Sequence, residues 1–176
     1  MPPAARVCWL AMRIIAGTYR SRTLEAPAGL ATRPTSDRLR ETLFNVLAPR
    51  IQGAAFLDLY AGSGAVGIEA LSRGAAHVLF VERAPAALKV LRANLTRLEL
   101  KEHFHVQSGS VASFLRKPRS GAASFDVVFL DPPYDAGDEY AVTLNLLGEP
   151  AARPLNAGAV VIAEHRRKQR LELRYG

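Results

Sequence analysis

From Ala55 onward the chain alternates short apolar runs with segments of helical periodicity, and this alternation restricts the fold more than any other feature. The apolar runs predict strands at Phe56–Tyr60, Val78–Val81, Phe104–Gln107, Val127–Leu130 and Ala159–Ala163. Helices are predicted from Gly64 to Gly74, from Pro85 along a stripe of Leu88, Leu91, Leu95 and Leu98, and over Val111–Leu115 and Tyr140–Leu147. Such alternation builds a mostly parallel central sheet with helices on both faces, so we predict an α/β, Rossmann-like fold.

The first 50 residues follow a different pattern. Apolar and basic positions alternate over residues 13–30, which predicts a small β-hairpin. A helix capped by Thr35 or Ser36 is expected to follow and to end at Pro49. Its predicted apolar face consists of Leu39, Leu43, Val46 and Leu47.

The formal net charge of +7 is concentrated at the two ends of the chain. Residues 1–50 contain eight arginines, no lysine and three acidic residues, whereas residues 164–176 carry five basic and two acidic side chains. The residues between them are nearly neutral. Arginine-rich ends suit a polyanion such as nucleic acid, although the same charge could simply solvate a surface. We therefore predict a basic, RNA-binding extension over residues 1–50 and a second domain over residues 51–176.

Several classes of protein are disfavoured by composition. No apolar run approaches the roughly 20 residues of a membrane span, and the N-terminus lacks the pattern of a signal peptide. The single cysteine, Cys8, cannot form an internal disulfide, which favours a reducing cytoplasm. His103 and His105 have no third histidine or cysteine nearby, so we expect no metal site.

A glycine-rich loop follows the first predicted strand. Gly62, Gly64 and Gly67 satisfy the G-x-G-x-x-G pattern, and Glu82 lies where a carboxylate would accept ribose hydroxyls. Both a nicotinamide dinucleotide and S-adenosylmethionine (SAM) would use these features. Asp58 separates the two, because its carboxylate would repel a pyrophosphate by about 4 kcal/mol at an effective dielectric near 20 and would attract an ammonium or sulfonium. We predict SAM; the remaining alternative is a tight turn without a ligand.

The predicted cofactor site draws on the ends of three strands. Gly62 and Gly64 would let the backbone approach the methionine part of SAM. Ser110 and the backbone of Val111 are the candidates beside the adenine. The candidate residues in this domain are Asp58, Tyr60, Gly62, Ser63, Gly64, Glu82, Arg83, Ser110 and Val111.

Asp131-Pro132-Pro133-Tyr134 closes an apolar strand and predicts chemistry at an amino group. The exocyclic amine of a base is a poor nucleophile because its lone pair is delocalised into the ring. The Asp131 carboxylate and the Pro132 carbonyl can each accept one of its hydrogens and draw the nitrogen toward tetrahedral geometry. The two prolines stiffen the loop, and Tyr134 can stack on an unstacked base for roughly 1–3 kcal/mol. These four residues could also form a mere turn, but with the glycine loop they predict a methyltransferase acting on nitrogen.

Four runs occur in a recognisable order: residues 13–20, Arg-Ile-Ile-Ala-Gly-Thr-Tyr-Arg; residues 32–45, beginning Thr-Arg-Pro-Thr; the glycine loop; and Asp131–Tyr134. With them the chain resembles, over roughly residues 12–176, the bacterial small-subunit ribosomal RNA guanine-N2 methyltransferase (RsmD) family. The resemblance implies a class I SAM-dependent methyltransferase. It also implies methylation of the 2-amino group of guanine 966 in 16S RNA, within a partly assembled small ribosomal subunit, with S-adenosylhomocysteine as product.

The resemblance carries residue roles with it. It implies the amine-activating and stacking roles for Asp131, Pro132 and Tyr134, and it adds Thr35 to the cofactor candidates. The RNA-binding candidates are Arg13, Arg20, Arg22, Arg33 and Arg38. Residues 1–11 have no counterpart in the family, and the family continues into a final strand after Gly176, so we expect the sequence to be truncated.

Three rivals share parts of this pattern. An N6-adenine DNA methyltransferase uses the same activating loop but usually adds a recognition domain, for which 176 residues leave little room. A protein glutamine methyltransferase does not account for the arginine-rich extension. A non-catalytic RNA-binding assembly factor could keep the fold but would not bind SAM. We expect a cytoplasmic monomer.

Overall fold

The computed structural model describes residues 12–26, 37–117, 124–133, 138–149, 155–165, 171–172 and 174–175. The strands are β1 (Met12–Arg13), β2 (Thr23–Leu24), β3 (Ala55–Leu59), β4 (His77–Glu82), β5 (Phe104–Ser108), β6 (Phe125–Leu130) and β7 (Leu155–Ala163). The helices are α1 (Asp37–Ile51), α2 (Ala65–Ser72), α3 (Pro85–Arg97), α4 (Val111–Leu115) and α5 (Glu139–Gly148). Among these described helices, none has the length and apolar character needed to span a bilayer.

The five strands β3 to β7 form one sheet in the order β5-β4-β3-β6-β7, and all neighbours run parallel. Numbered from β3, the order is 3-2-1-4-5, which is the arrangement of a Rossmann-like fold. The predicted α/β fold is therefore confirmed. The direction of winding reverses between β3 and β6, and ligands of such sheets bind in the crevice outside the strand ends at that point.

The sheet is buried between two layers. Helices α1, α2 and α3 and the N-terminal hairpin cover one face, with Phe56 and Phe80 at its centre. Helices α4 and α5 cover the other face over Leu57 and Val128. Parallel strands buried on both sides read as continuous apolar runs, which is why they were predictable from sequence. The hairpin and α1 share a core with the sheet; that residues 1–50 form a separate unit stays a prediction.

The structure corrects two expectations for α1. Pro49 does not end the helix but lies inside its final turn, which continues to the buried Ile51. Because proline has no backbone N–H, this turn lacks one hydrogen bond. The buried face consists of Arg40, Phe44, Leu47 and Ile51, whereas Leu39 and Val46 are 39% and 74% exposed. The apolar pattern predicted the wrong face of α1 because Arg40, a charged residue, occupies a core position. The predicted cap at Thr35 or Ser36 lies outside the described residues.

A buried carboxylate on α2 ties the N-terminal hairpin to the sheet domain. Strands β1 and β2 pair antiparallel, as predicted. Glu69 Oε2 accepts from the amide of Ile15 at 2.8 Å, and Oε1 accepts from the amide of Ala16 at 3.0 Å and from Arg73 Nε at 2.7 Å. The buried guanidinium of Arg40 lies 3.9 Å away. A buried charge is costly unless it has partners. Undocking the hairpin would remove two of the donors to Glu69, so this carboxylate favours the docked position.

Gly17 lets the hairpin backbone cross the end of α2 in direct contact. Thr18 N donates to Ser72 O at 2.8 Å, and Ser72 Oγ donates to Ala16 O at 2.5 Å. A Cβ atom on Gly17 would lie 1.7 Å from Ser72 O, and the φ of this glycine is +82°. Only glycine permits both the left-handed backbone and the close approach.

We expect Gly17→Ala to lower the free energy of unfolding by about 2 kcal/mol more than Gly53→Ala, measured by urea denaturation. Gly53 is the matched control, because it has a φ of +75° but open space around its Cβ position. Both substitutions carry the left-handed penalty, and only the first forces the hairpin off α2. Equal losses in the two variants would contradict this account of the crossing.

Candidate functional site

A cleft of about 580 Å³ opens at the carboxyl ends of β3, β4 and β6. It lies where the winding of the sheet reverses, and its volume falls within the range of about 300–1,000 Å³ typical of small-molecule sites. The glycine loop after β3 and the Asp131-Pro132-Pro133 segment after β6 both line it. The in-register pairing of β3 with β6 holds these two segments side by side.

Most of the predicted cofactor and catalytic residues meet in this cleft. Its walls include Asp58, Tyr60, Gly62, Ser63, Glu82, Arg83, Ser110, Val111, Asp131, Pro132 and Pro133. Gly64 is instead buried where α2 begins. Thr35 and Tyr134 lie outside the described residues. The residues come together, while their roles stay predictions.

The predicted RNA-binding arginines lie on the N-terminal extension. Arg13, Arg20, Arg22 and Arg38 are exposed, and Arg33 falls outside the described residues. The hairpin also reaches the cleft, because Met12 and Ala26 line it. The extension therefore carries exposed arginines and also contributes to the wall of the cleft.

The backbone after β3 is strained into the left-handed region. The φ angles are +63° at Tyr60, +56° at Gly62 and +79° at Gly64. Glycine adopts such angles freely. In a residue with a side chain, such as Tyr60, they cost conformational free energy and often mark a functional site. The Tyr60 hydroxyl lies 2.5 Å from Glu139 Oε2 and 2.7 Å from Thr143 Oγ1, which holds its ring against α5. Burial and the Glu139 contact raise the pKa of Tyr60 well above its usual range.

Glu82 fixes the geometry of the glycine loop from the end of β4. Its Oε2 accepts from Gly62 N at 2.8 Å, and its Oε1 accepts from Arg83 N at 2.8 Å and Ala84 N at 2.7 Å. Three backbone donors thus hold the carboxylate at the cleft wall. An ionised carboxylate has about four acceptor positions, so capacity remains for the hydroxyls of a ligand.

Asp58 is the most buried acid of the cleft, at 2% exposure. Burial raises its pKa to about 7; the hydrogen bond from Gly67 N to Oδ2, at 2.9 Å, opposes this shift, and the charges of Asp131 and Glu82 add to it. The carboxyl is therefore partly protonated near neutral pH. A cation in the cleft would favour its ionised form, which fits the expected sulfonium or ammonium.

Asp131 follows β6 directly and is half-buried. Burial raises its pKa to about 7, and the negative charge of Glu164 adds to the shift. Pro132 is buried and Pro133 is exposed. The acid that would hold an amino group therefore titrates near the pH at which it would work.

Several residues that line the cleft were not predicted from the sequence. Phe129 and Glu139 line the cleft, as do Met12 and Ala26 from the hairpin. Phe129 could have been found, because it precedes Asp131 by two positions and so shares its face of the strand. No local pattern marks Met12 or Ala26, since the hairpin reaches the cleft only through tertiary docking.

The residues present fit SAM. Asp58, Glu82 and Asp131 supply negative charge for a cationic ligand, while Val66, Ala87 and Phe129 supply apolar wall. In the described part of the chain, no group of three or more acidic, histidine or cysteine side chains is arranged to hold a metal ion.

The family model described as "Conserved hypothetical protein 95" matches residues 12–175. The chain belongs to this family. Among curated members, YlbH of Bacillus subtilis is 39% identical over 160 residues, which is 91% of this chain and 85% of that protein. A protein of Escherichia coli K12 is 43% identical over 136 residues, or 77% of this chain and 66% of its own length; its name is "Ribosomal RNA small subunit methyltransferase D". The resemblance to the RsmD family is thereby confirmed.

A solved structure extends the likeness to three dimensions. A hypothetical protein of Thermus thermophilus superposes with a TM-score of 0.80 at 34% identity, covering 93% of this chain and 91% of that one. The order and direction of its strands are those of the class I SAM-dependent methyltransferase fold, as expected for the family.

We expect the stability of the wild type, relative to Asp58→Asn, to fall as pH rises from about 4 to 8. The folded state keeps a proton up to a pKa of about 7, whereas the unfolded chain releases it near 3.9, so the extra stability is present at low pH and is lost through neutrality. An asparagine oxygen can still accept from Gly67 N. Urea unfolding of both proteins across this range measures the difference, and a difference independent of pH would contradict the assigned burial effect.

Proposed function

We propose that the protein transfers a methyl group from SAM to the exocyclic N2 of one guanine, of the position-966 type, in 16S ribosomal RNA of the small subunit. The observation that carries this proposal is the single cleft shared by the glycine loop and the Asp131-Pro132 segment. A methyl donor held by the first segment and an amino group held by the second would lie next to each other. Ribosomal RNA as the substrate is supported by the name of the Escherichia coli relative.

The chain's own residues prepare the amino group. The Asp131 carboxylate accepts one amine hydrogen and the Pro132 carbonyl accepts the other, which localises the nitrogen lone pair. Since the pKa of Asp131 is raised to about 7, its carboxylate can also receive the proton that the methylated nitrogen releases. Tyr134 is proposed to stack on the base. Alignment is the main contribution, because it replaces a chance encounter with a fixed geometry.

The cofactor is proposed to lie against the opposite wall. Asp58 and Glu82 balance its positive charge and bind its ribose, and the backbone at Gly62 contacts its methionine part. Ser110 and Val111, at the start of α4, border the adenine. When bound, SAM supplies a methyl group already activated by its sulfonium.

The N-terminal extension is proposed to hold the RNA. Arg13, Arg20, Arg22 and Arg38 are exposed, and guanidinium groups bind phosphates through paired hydrogen bonds. Glu69 and the Gly17 crossing keep the hairpin at the rim of the cleft. A small ribosomal subunit or an assembly intermediate offers the phosphate surface that this arrangement needs.

The substrate test compares methyl transfer from labelled SAM to undermodified small subunits, naked 16S RNA and duplex DNA. Label is expected in small subunits, on guanine N2. Label confined to DNA adenine would favour the N6-adenine rival. A protein that shows no heat of SAM binding and transfers no methyl group would instead be the non-catalytic assembly factor.

We expect Asp131→Ala to lower kcat on the order of 100-fold or more, because one of two preorganised acceptors is lost. SAM affinity, measured by calorimetry, should change only a few-fold. Glu102→Ala is the matched control, since this exposed carboxylate precedes β5 at the opposite edge of the sheet. Undiminished turnover in Asp131→Ala would refute the proposed activation.

We expect the double variant Arg20→Ala/Arg22→Ala to raise the KM for small subunits about tenfold at unchanged kcat. Each lost phosphate contact should also reduce the slope of log affinity against log salt by about 0.7–0.9. The control is Lys89→Ala/Arg92→Ala, which removes two exposed cations from α3. The same increase in KM and the same change in slope in both double variants would show that the extension has no special part in RNA binding.

A further inference from the structure

Glu164 is the neighbour of Asp131 on the adjacent strand. The register of β6 and β7 pairs Leu130 with Ala163, and Glu164 N donates to Leu130 O at 2.9 Å. The parallel ladder thus continues one residue beyond both strands. Paired residues on neighbouring strands lie about 4.8 Å apart and project to the same face of the sheet. This register places Glu164 next to Asp131 at the carboxyl edge of the sheet.

Both acids lie on the face of the sheet that carries the N-terminal extension. Phe129 and Ile162, two residues before them on β6 and β7, pack in the core cluster that includes the hairpin and α1. Side chains two positions apart share a face. Asp131 is in the cleft wall, and Glu164 adjoins it on the side of β6 that faces away from β3.

The position of Glu164 is well fixed. Its carbonyl accepts from the Tyr140 hydroxyl on α5 at 2.5 Å, its amide is bonded to β6, and one of its carboxylate oxygens is out of contact with solvent. Its charge also reaches Asp131, since it contributes to the raised pKa of that group. A fixed carboxylate next to Asp131 can take part in recognising whatever Asp131 binds.

When both are ionised, two adjacent carboxylates offer only acceptors, which restricts the edge of a ligand that fits them. Guanine presents its 2-amino hydrogens next to the N1–H, so two neighbouring donors face two acceptors. Adenine presents its 6-amino group next to N1, and cytosine its 4-amino group next to N3; in each case the neighbour is a lone pair that a carboxylate repels. Only guanine among these bases matches the pair.

We infer that Glu164 determines the base specificity of the site: its carboxylate accepts the N1–H of guanine, while Asp131 and the Pro132 carbonyl hold the 2-amino group. This inference rests on the proposed methyl transfer to an amino group. It adds the reason why a loop that suits several amino groups would select guanine N2. Glu164 is thus assigned to substrate recognition in addition to its backbone role at the end of β7.

The test uses small subunits reconstituted with 16S RNA that carries either guanine or 2-aminopurine at the target position. 2-Aminopurine keeps the 2-amino group but has a lone pair at N1. The wild type should prefer guanine by about 10- to 100-fold in kcat/KM. Glu164→Gln, whose amide can donate to that lone pair, should lower kcat/KM for guanine, raise it for 2-aminopurine, and reduce the preference at least about tenfold.

Controls separate recognition from support of the fold. Glu149→Gln, at an exposed position after α5, should keep the wild-type preference. Glu164→Asp, which keeps a carboxylate, should retain the preference at a lower rate. SAM binding by calorimetry should stay within a few-fold of wild type in every variant.

The outcomes are distinguishable. If Glu164→Gln loses activity on guanine and on 2-aminopurine in the same proportion, Glu164 has only a structural role and the inference is overturned. If this variant keeps its full activity on guanine and gains none on 2-aminopurine, the inference is overturned as well. If the wild type methylates neither substrate, the proposed function itself fails. A reduced preference in Glu164→Gln with a retained preference in Glu164→Asp supports the assignment, because a structural effect would not depend on the N1 substituent of the base.

Discussion

The in-register parallel pairing of β3 with β4 and β6 is the constraint on which the cleft depends. Because these strands start and end together, Asp58, Glu82 and Asp131 arrive at one edge from three distant stretches of the chain. Burial disfavours the charged form of two of these acids, and it raises the pKa of Asp58 and of Asp131 to about 7. A positive charge in the cleft would therefore favour ionisation of these two acids.

The glycine loop tolerates this concentration of acids because backbone donors face them. Gly62, Arg83 and Ala84 give their amides to Glu82, and Gly67 gives its amide to Asp58. The loop is thus shaped by the same carboxylates that would contact the cofactor. A change at either acid would alter the loop as well as the charge of the site, so loss of binding alone would not separate the two effects.

The hairpin is joined to the catalytic body by buried polar contacts rather than by apolar packing alone. Glu69 accepts hydrogen bonds from Ile15, Ala16 and Arg73, and Ser72 bonds to the backbone on both sides of Gly17. Hydrogen-bonded contacts of this kind specify one docked position, since any shift would leave a buried charge without partners. An RNA bound by the hairpin would consequently be presented to the cleft in one orientation.

The sequence by itself determined the α/β class, the glycine loop and the Asp-Pro-Pro-Tyr segment, because strand runs, helix periodicity and loop chemistry are local properties. Local pattern also misled at α1, where it assigned Leu39 and Val46 to the core although Arg40 occupies it. Tertiary structure alone decided the strand order, the burial of Arg40 and Glu69, the entry of Met12 and Ala26 into the cleft, and the hydrogen bond that holds Glu164 at the end of β6. These features depend on which distant segments pack together, and no periodicity within one segment records that choice.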